Sequence, residues 1–386
     1  MSMKDELIAG LQALRRRDLF RVIRDIEGPQ ERVITIDGRP AVNFASNNYL
    51  GLANHPALRE AGIRALRRWG VGAGASRLVT GSSTLHRELE ERIARFEDLP
   101  AAVLFNSGYC ANVGVIASLV GRGDAVFGDR LNHASIVDGC LLSGARFQRY
   151  KHRDADDLAR LLAASESRRK LVVTDSIFSV DGDAAPLDRI ADVCAEYGAW
   201  LMVDEAHATG VLGDHGRGLV EVMGLGGRVE IVMGTLSKAL GCVGGYVAGC
   251  AELADHLRNH ARSLIYTTAL PPALCAAAIA AFDVLEREPE RRVRLSRNAE
   301  RLRAGLRRAG WDTGSSETQI LPILVGEART ALELSARLLE AGYYAPAMRP
   351  PTVPPGACRL RVSVTAAHLD KDIDGFLEAL GQAPRP

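Results

Sequence analysis

The chain has 386 residues, of which 47% are hydrophobic and 25% charged, the balance of a soluble globular protein long enough for a large core and a second lobe; a disordered, fibrous or collagen-like chain is excluded. A formal net charge of +1 argues against a protein built to bind polyanions non-specifically, so Arg15-Arg16-Arg17 is read as a solvated helix end and no nucleic-acid partner is expected. The seven cysteines are scattered, odd in number and never spaced Cys-x-x-Cys, which indicates neither a disulfide framework nor a zinc knuckle and fits a reducing cytoplasm.

The N-terminus, Met1-Ser-Met-Lys-Asp-Glu-Leu, carries charge where a secretory signal needs an apolar core. No apolar run approaches the roughly 20 residues of a membrane span, so a cytoplasmic protein without a membrane partner is expected. Leu7, Ile8, Leu11 and Leu14 recur at helical spacing, which predicts an amphipathic helix running toward Arg21 and lying on another lobe. Asp37-Gly38 between two short apolar runs, in Val33 to Phe44, is a strong hairpin signal. Asn47-Asn48-Tyr49-Leu50-Gly51 follows.

Pro56 suits a first helical turn, and Leu58, Ala61, Ala65, Leu66 and Trp69 mark the buried face of a helix ending at Gly70. The glycines of Gly70 to Gly81 imitate a dinucleotide fingerprint, but they follow a helix where that motif must follow a strand, so the nucleotide reading is rejected. From Ala101 onward apolar runs alternate with helical patterns: Ala101 to Phe105, a helix from Ala111, Ala125 to Phe127, a helix from Ser135, Lys170 to Thr174, Trp200 to Val203, Ile231 to Gly234 and Tyr246 to Gly249. Such alternation predicts an α/β fold with a mainly parallel sheet covered by helices on both faces. A long helical region after Pro271-Pro272, broken at Pro289, runs to about Ala309. The tail then reads as α+β: strand Ile320 to Val325, helix from Thr330, strand near Tyr343, strand Arg359 to Val364 and helix from Asp370. The expected domains are residues 1–45, a helix and hairpin that join the small domain; 46–288, a large α/β domain; and 289–386, a small α+β domain.

The chemistry gathers where strands end. Ala199-Trp-Leu-Met-Val-Asp-Glu-Ala-His207 is an apolar run that ends in charge, as a buried parallel strand does at its C-terminal edge, and ligands of open α/β sheets bind at that edge. Asp204-Glu-Ala-His207 also spells a helicase box, but the chain lacks a Gly-x-x-x-x-Gly-Lys-Ser/Thr phosphate loop, which rejects a nucleic-acid motor. Lys238 stands in Met233-Gly-Thr-Leu-Ser-Lys-Ala-Leu-Gly241, three residues after Thr235. A lysine amine has an ordinary pKa of about 10.4 and attacks poorly unless it is depressed or captured as an imine. Pyridoxal phosphate makes that capture; it then needs an anion cradle, for which Thr235 is a candidate, and a carboxylate for its pyridine nitrogen, for which Asp204 is one. Asn106-Ser107-Gly108-Tyr109 follows the first sheet strand and opens a helix, whose free N–H groups suit a phosphate. His133 in Asn132-His-Ala-Ser135 and Ser179 in Ile177-Phe-Ser-Val-Asp181 follow two further strands and reach the same edge. His256 and His260 share a helix face without a third ligand nearby, so no metal site is expected.

Taken together, Asn43-Phe-Ala-Ser-Asn-Asn-Tyr-Leu-Gly-Leu52, Gly74-Ala-Ser-Arg-Leu-Val-Thr-Gly81, Asn132-His-Ala-Ser135, Asp204-Glu-Ala-His207, Thr235-Leu-Ser-Lys238 and Thr365-Ala-Ala-His368 give a chain that resembles the α-oxoamine synthases over essentially its full length. The resemblance implies a fold-type I pyridoxal 5'-phosphate (PLP) transferase, with a seven-stranded, mainly parallel sheet and a smaller α+β domain. It implies that Lys238 holds the cofactor covalently, Asp204 pairs with the pyridine nitrogen, His207 and Ser179 bond the ring oxygen, and His133 stacks on the ring. Ser107, Gly108, Tyr109 and Thr235 hold the phosphate, joined by Thr267 or Thr268 of a neighbouring subunit in a homodimer whose site lies at the interface. Arg21, Asn47, Thr352 and Arg361 match substrate-contacting positions. One departure is Asp175, where the family pattern has Glu. Arg349-Pro-Pro-Thr-Val-Pro354 and Tyr266-Thr-Thr-Ala-Leu-Pro-Pro272 point to the branch that joins L-alanine to a pimeloyl thioester, carried by CoA or an acyl carrier protein, with loss of CO2 in biotin synthesis. The rivals use glycine with acetyl-CoA or succinyl-CoA, or serine with a long acyl chain; an inert regulatory partner subunit is the rival from another class.

Overall fold

A computed structural model describes residues 1–382. It divides into two compact units, one made of Leu50–Ser179 and Asp183–Val293, the other of Met1–Tyr49, Val180–Gly182 and the described residues from Arg294 to Gln382.

The larger unit is built on seven strands: β1 Ala101–Phe105, β2 Ala125–Asp129, β3 Arg146–Tyr150, β4 Lys170–Asp175, β5 Trp200–Asp204, β6 Ile231–Thr235 and β7 Gly245–Gly249. Their order in the sheet is β1-β7-β6-β5-β4-β2-β3. β7 pairs antiparallel with both β1 and β6, and the other pairs are parallel. The central strands read as unbroken apolar runs because both faces are covered: Leu171, Val172 and Val173 of β4 and Leu201, Met202 and Val203 of β5 are all buried. One face packs on Ala111, Val115 and Ile116 of the helix Gly108–Leu119 and on Leu257, Ala261 and Leu264. Each Val or Leu so buried contributes about 1.5–3 kcal/mol.

β3 is the strand absent from the sequence reading. Arg-Phe-Gln-Arg-Tyr sits at the sheet edge with Arg146 and Arg149 exposed, so it lacks the apolar run that marked the others.

The smaller unit holds the hairpin Val33–Ile36 and Arg39–Asn43, with Ile36 facing Arg39. Asp37 and Gly38 both take positive φ, 51° and 74°, the tight turn that Asp-Gly favours. A four-stranded sheet adds Ile26–Glu27 and Tyr343–Tyr344 to this hairpin; a three-stranded sheet joins Ile320–Gly326, Cys358–Ser363 and Ala347–Met348. The N-terminal helix departs from expectation. It spans Met3–Arg16, stops short of Arg21 and buries none of its residues in this chain. A capping box of Ser2 and Asp5 starts it, and Asp18 at φ 55° turns the chain away after it ends.

Candidate active site

Six strands run one way, and five of them bring Phe105, Asp129, Asp175, Asp204 and Thr235, their last residues, to a single edge. Register puts Asp175 level with Asp204, and Asp204 level with Met233. Gly245, the first residue of β7, is level with both Phe105 and Thr235.

Asp204 is buried and accepts two hydrogen bonds, from Asn112 Nδ2 at 2.8 Å and from the Ala206 N–H at 2.9 Å. Asn112 gives its other amide hydrogen to Ser135 Oγ at 2.9 Å, and Ser135 Oγ lies 2.7 Å from His133 Nδ1. The Ser135 N–H also points at that Nδ1, so Nδ1 is the acceptor and the ring proton is assigned to Nε2. Burial holds His133 below the usual imidazole value, against the Asp204 charge that raises it. The result is a neutral imidazole with a donor at Nε2, tied to Asp204 through Asn112 and Ser135. Asn112, from the middle of a helix, carried no signal in the sequence.

Asp175 Oδ2 accepts the His133 backbone N–H at 2.8 Å, and the Asp175 N–H reaches Asn132 Oδ1 at 3.2 Å. Burial, reinforced by the Asp204 charge, pushes the Asp175 carboxyl well above the usual carboxylate range. Lys238 is half-buried, and its charge acts on both His133 and Asp175, lowering each. His207 is buried and Ser179 half-buried, each just beyond its strand.

The other end of the edge is a helix start. Ser107 Oγ accepts the Cys110 N–H at 3.1 Å, leaving the Gly108 and Tyr109 N–H groups as leading donors of the helix. A Cβ on Gly245 would stand 2.6 Å from Gly108 N, so only glycine lets β7 pass this turn. The Thr235 hydroxyl donates to Gly244 O at 2.9 Å. With that hydrogen spent, the 2.7 Å contact between Thr235 Oγ1 and Ser237 Oγ must be donated by Ser237, the exposed member of the pair. Asn106 Nδ2 binds Thr267 Oγ1 at 3.1 Å and Thr268 O at 2.7 Å within the same chain. Tyr109 OH donates to Asp138 at 2.6 Å.

The remaining expected residues lie in the smaller unit. Arg361 is buried and donates to Ser363 Oγ at 3.0 Å and to Asn47 Oδ1 at 3.1 Å, with Tyr49 OH at 3.4 Å. Arg21 reaches Thr352 Oγ1 at 3.4 Å and Pro350 O at 3.3 Å. Two pairs thus form, Arg361 with Asn47 and Arg21 with Thr352. His256 and His260 stack with ring centroids 4.2 Å apart and bond the backbone oxygens of Ser118 and His256; among the described residues no cluster of three His, Cys, Asp or Glu suits a metal ion.

Residues 39–380 match the family model described as aminotransferase class I and II. The chain is 52% identical over 376 residues to an 8-amino-7-oxononanoate synthase of Methylococcus capsulatus, covering 97% of each chain. It is 53% identical over 380 residues to a protein of the same name from Geobacter sulfurreducens, again covering 97% of each. Among solved structures, a serine palmitoyltransferase from S. paucimobilis, carrying bound PLP and myriocin, is similar with a TM-score of 0.93 at 33% identity, covering 98% of this chain and 96% of that one.

Proposed function

Because the chain belongs to the aminotransferase class I and II family, and within it to the α-oxoamine synthases, we propose that it is a PLP-dependent acyltransferase. It condenses L-alanine with a pimeloyl thioester, giving 8-amino-7-oxononanoate, CO2 and a free thiol, a step of biotin synthesis. The observation that carries this reading is the strand-edge assembly of Lys238, Asp204 and a neutral His133 in a chain with full-length relatives of that name.

The donor set fits PLP in type and order: an amine for its aldehyde, a buried carboxylate for its pyridine nitrogen, an imidazole for its face, and helix N–H groups beside a hydroxyl pair for its phosphate. Lys238 would hold the aldehyde carbon, Asp204 the ring nitrogen, and His207 and Ser179 the ring oxygen. Ser107, Gly108, Tyr109 and Thr235 would hold the phosphate, with the Ser237 hydroxyl turning away from Thr235 Oγ1 to donate to it. When bound, PLP supplies an electron sink for the carbanions formed on deprotonation and on decarboxylation.

The chain's own residues do the rest. Lys238 Nζ would accept the Cα proton of alanine. Asp204 is held toward the pyridine nitrogen by Asn112 and the Ala206 N–H, which fix its oxygens in place. His133 offers Nε2–H to the substrate oxygens, its orientation fixed by Ser135 and by the Asp175 bond to its backbone. Arg361 is proposed to take the alanine carboxylate in its bidentate fork, and Arg21 with Thr352 the far carboxylate of the acyl chain.

A cytoplasmic homodimer is part of this proposal, with Thr267 or Thr268 of one protomer completing the phosphate site of its partner. Val71, Leu78, Val79 and Tyr266, large apolar side chains left exposed, lie near the Ser76–Thr268 bridge and support association there. An acyl carrier protein is proposed as an alternative donor to CoA. The test is thiol release by purified enzyme with alanine, glycine or serine against pimeloyl, acetyl, succinyl and long-chain acyl-CoA. Highest kcat/KM with alanine and pimeloyl-CoA is expected; a clear preference for glycine or serine would overturn the substrate assignment.

A further inference from the structure

His133 and Ser179 stand on two different loops of the larger unit, and a side chain outside the edge joins those loops. His152, two residues beyond β3, has Nδ1 2.9 Å from Asp129 Oδ1 and Nε2 2.9 Å from Asp183 Oδ2. Both carboxylates are buried. A ring nitrogen that faces a carboxylate must donate, so two such contacts call for a proton on each nitrogen and make the ring an imidazolium.

Each aspartate organises one loop. Asp129 ends β2 and also accepts the backbone N–H groups of Leu131 and Arg153, both at 2.8 Å, which shapes the turn into Asn132-His133. Asp183 closes the loop after β4. Its carbonyl accepts the Phe178 N–H at 3.0 Å, and Ala185 N–H reaches Ser176 O at 2.9 Å, with Ser179 inside that closure. The Phe178 ring meets the His152 ring edge-on, centroids 4.4 Å apart. The other charged or titratable groups here are Arg153, with Nη1 3.4 Å from Asp183 Oδ2, and Tyr150 and Asp175, both near Asp129.

We propose that His152 is a positioning residue of the site: by bonding Asp129 and Asp183 at once, it fixes the turn bearing His133 against the loop bearing Ser179 and so governs how firmly the cofactor is retained. The inference rests on the reading of the strand edge as the PLP site. Burial opposes charge on the ring, but the bonds to Asp129 and Asp183 outweigh it and push the imidazole up to about 9. A histidine raised in this way gives stability that is complete below its unfolded value of about 6.5 and is lost as pH rises through the folded value.

The experiment compares PLP binding to apo protein, followed by absorbance, in the unsubstituted chain and in His152→Gln. At about pH 7 the variant should bind PLP roughly tenfold more weakly, since it loses one of two charge-assisted bonds, and the ratio should close toward one by about pH 10 as the native ring deprotonates. Equal affinities near neutrality, or a ratio constant with pH, would overturn the proposal. Should His152→Gln fail to fold, Asp183→Asn leaves the ring in place and should weaken PLP binding in the same pH-dependent way. Histidine NMR of the unsubstituted apo protein gives a readout without cofactor. One of the nine imidazoles should stay protonated at about pH 8, and its midpoint should fall in Asp183→Asn; nine neutral rings at that pH would refute the imidazolium. If the unsubstituted protein binds no PLP at all, the reading of the edge fails with the proposal, whereas a protonated His152 with equal affinities sinks the proposal alone.

Discussion

Asp175 and Asp204 end neighbouring strands at the same level, yet their surroundings make them different tools. Asp204 accepts two N–H donors, whereas burial, reinforced by the Asp204 charge, favours a proton on Asp175. The bond Asp175 makes, from the His133 N–H to Oδ2, needs only an acceptor. Asp175→Asn should therefore keep activity within a few-fold, while Asp204→Asn loses roughly 100-fold or more in kcat/KM, as expected when a preorganised charge is removed; equal losses would show that Asp175 acts as an anion. Arg361→Lys retains charge but not the planar fork, so the KM for alanine should rise roughly tenfold, with kcat changed less. An unchanged KM would remove Arg361 from substrate binding. At this scale the positions of Lys238, Asp204 and His133, at or just beyond the ends of apolar strands, were legible in the sequence because each strand fixes where they emerge. Asn112 and His152 were not, since a polar residue inside a helix and a histidine after an edge strand carry no periodic mark of what they touch.

Among the elements, the hairpin at Asp37-Gly38 was readable because its turn demands positive φ at both positions. The buried strands were readable as continuous apolar runs. β3 was not, as an edge strand with two exposed arginines has no core face to advertise. The turn at Ser107-Gly108-Tyr109 was visible as a strand followed by a helix start, but its tight packing against β7 was not. Gly245→Ala tests that packing: the added methyl meets Gly108 N at 2.6 Å, backbone against backbone, with no flexible side chain to yield. A loss of about 1–3 kcal/mol is expected from such overpacking, read as a lower Tm with PLP affinity reduced as well. A variant with unchanged Tm and affinity would show that the turn is free to move.

Across the whole molecule, pH acts through two further buried carboxyls. Glu97 is pushed up to about 8 by burial, which outweighs the hydrogen bond donated by Tyr246, and burial takes Glu205 to about 7. Both bind a proton in the folded chain that the unfolded chain releases near pH 4.5, so the folded state holds more protons between those limits and stability falls as pH rises through them. Glu97→Gln should flatten that decline and raise Tm at alkaline pH while leaving it unchanged in mild acid; a parallel curve would contradict the burial argument.

The central claim is that Lys238 carries the cofactor, and the chain makes it unusually easy to test, because the only other lysines are Lys4, Lys151, Lys170 and Lys371. Protein reconstituted with PLP, reduced with borohydride and digested for peptide mass mapping should carry one pyridoxyl phosphate group, on the peptide containing Lys238. A label on any of the other four, or none at all, would contradict it.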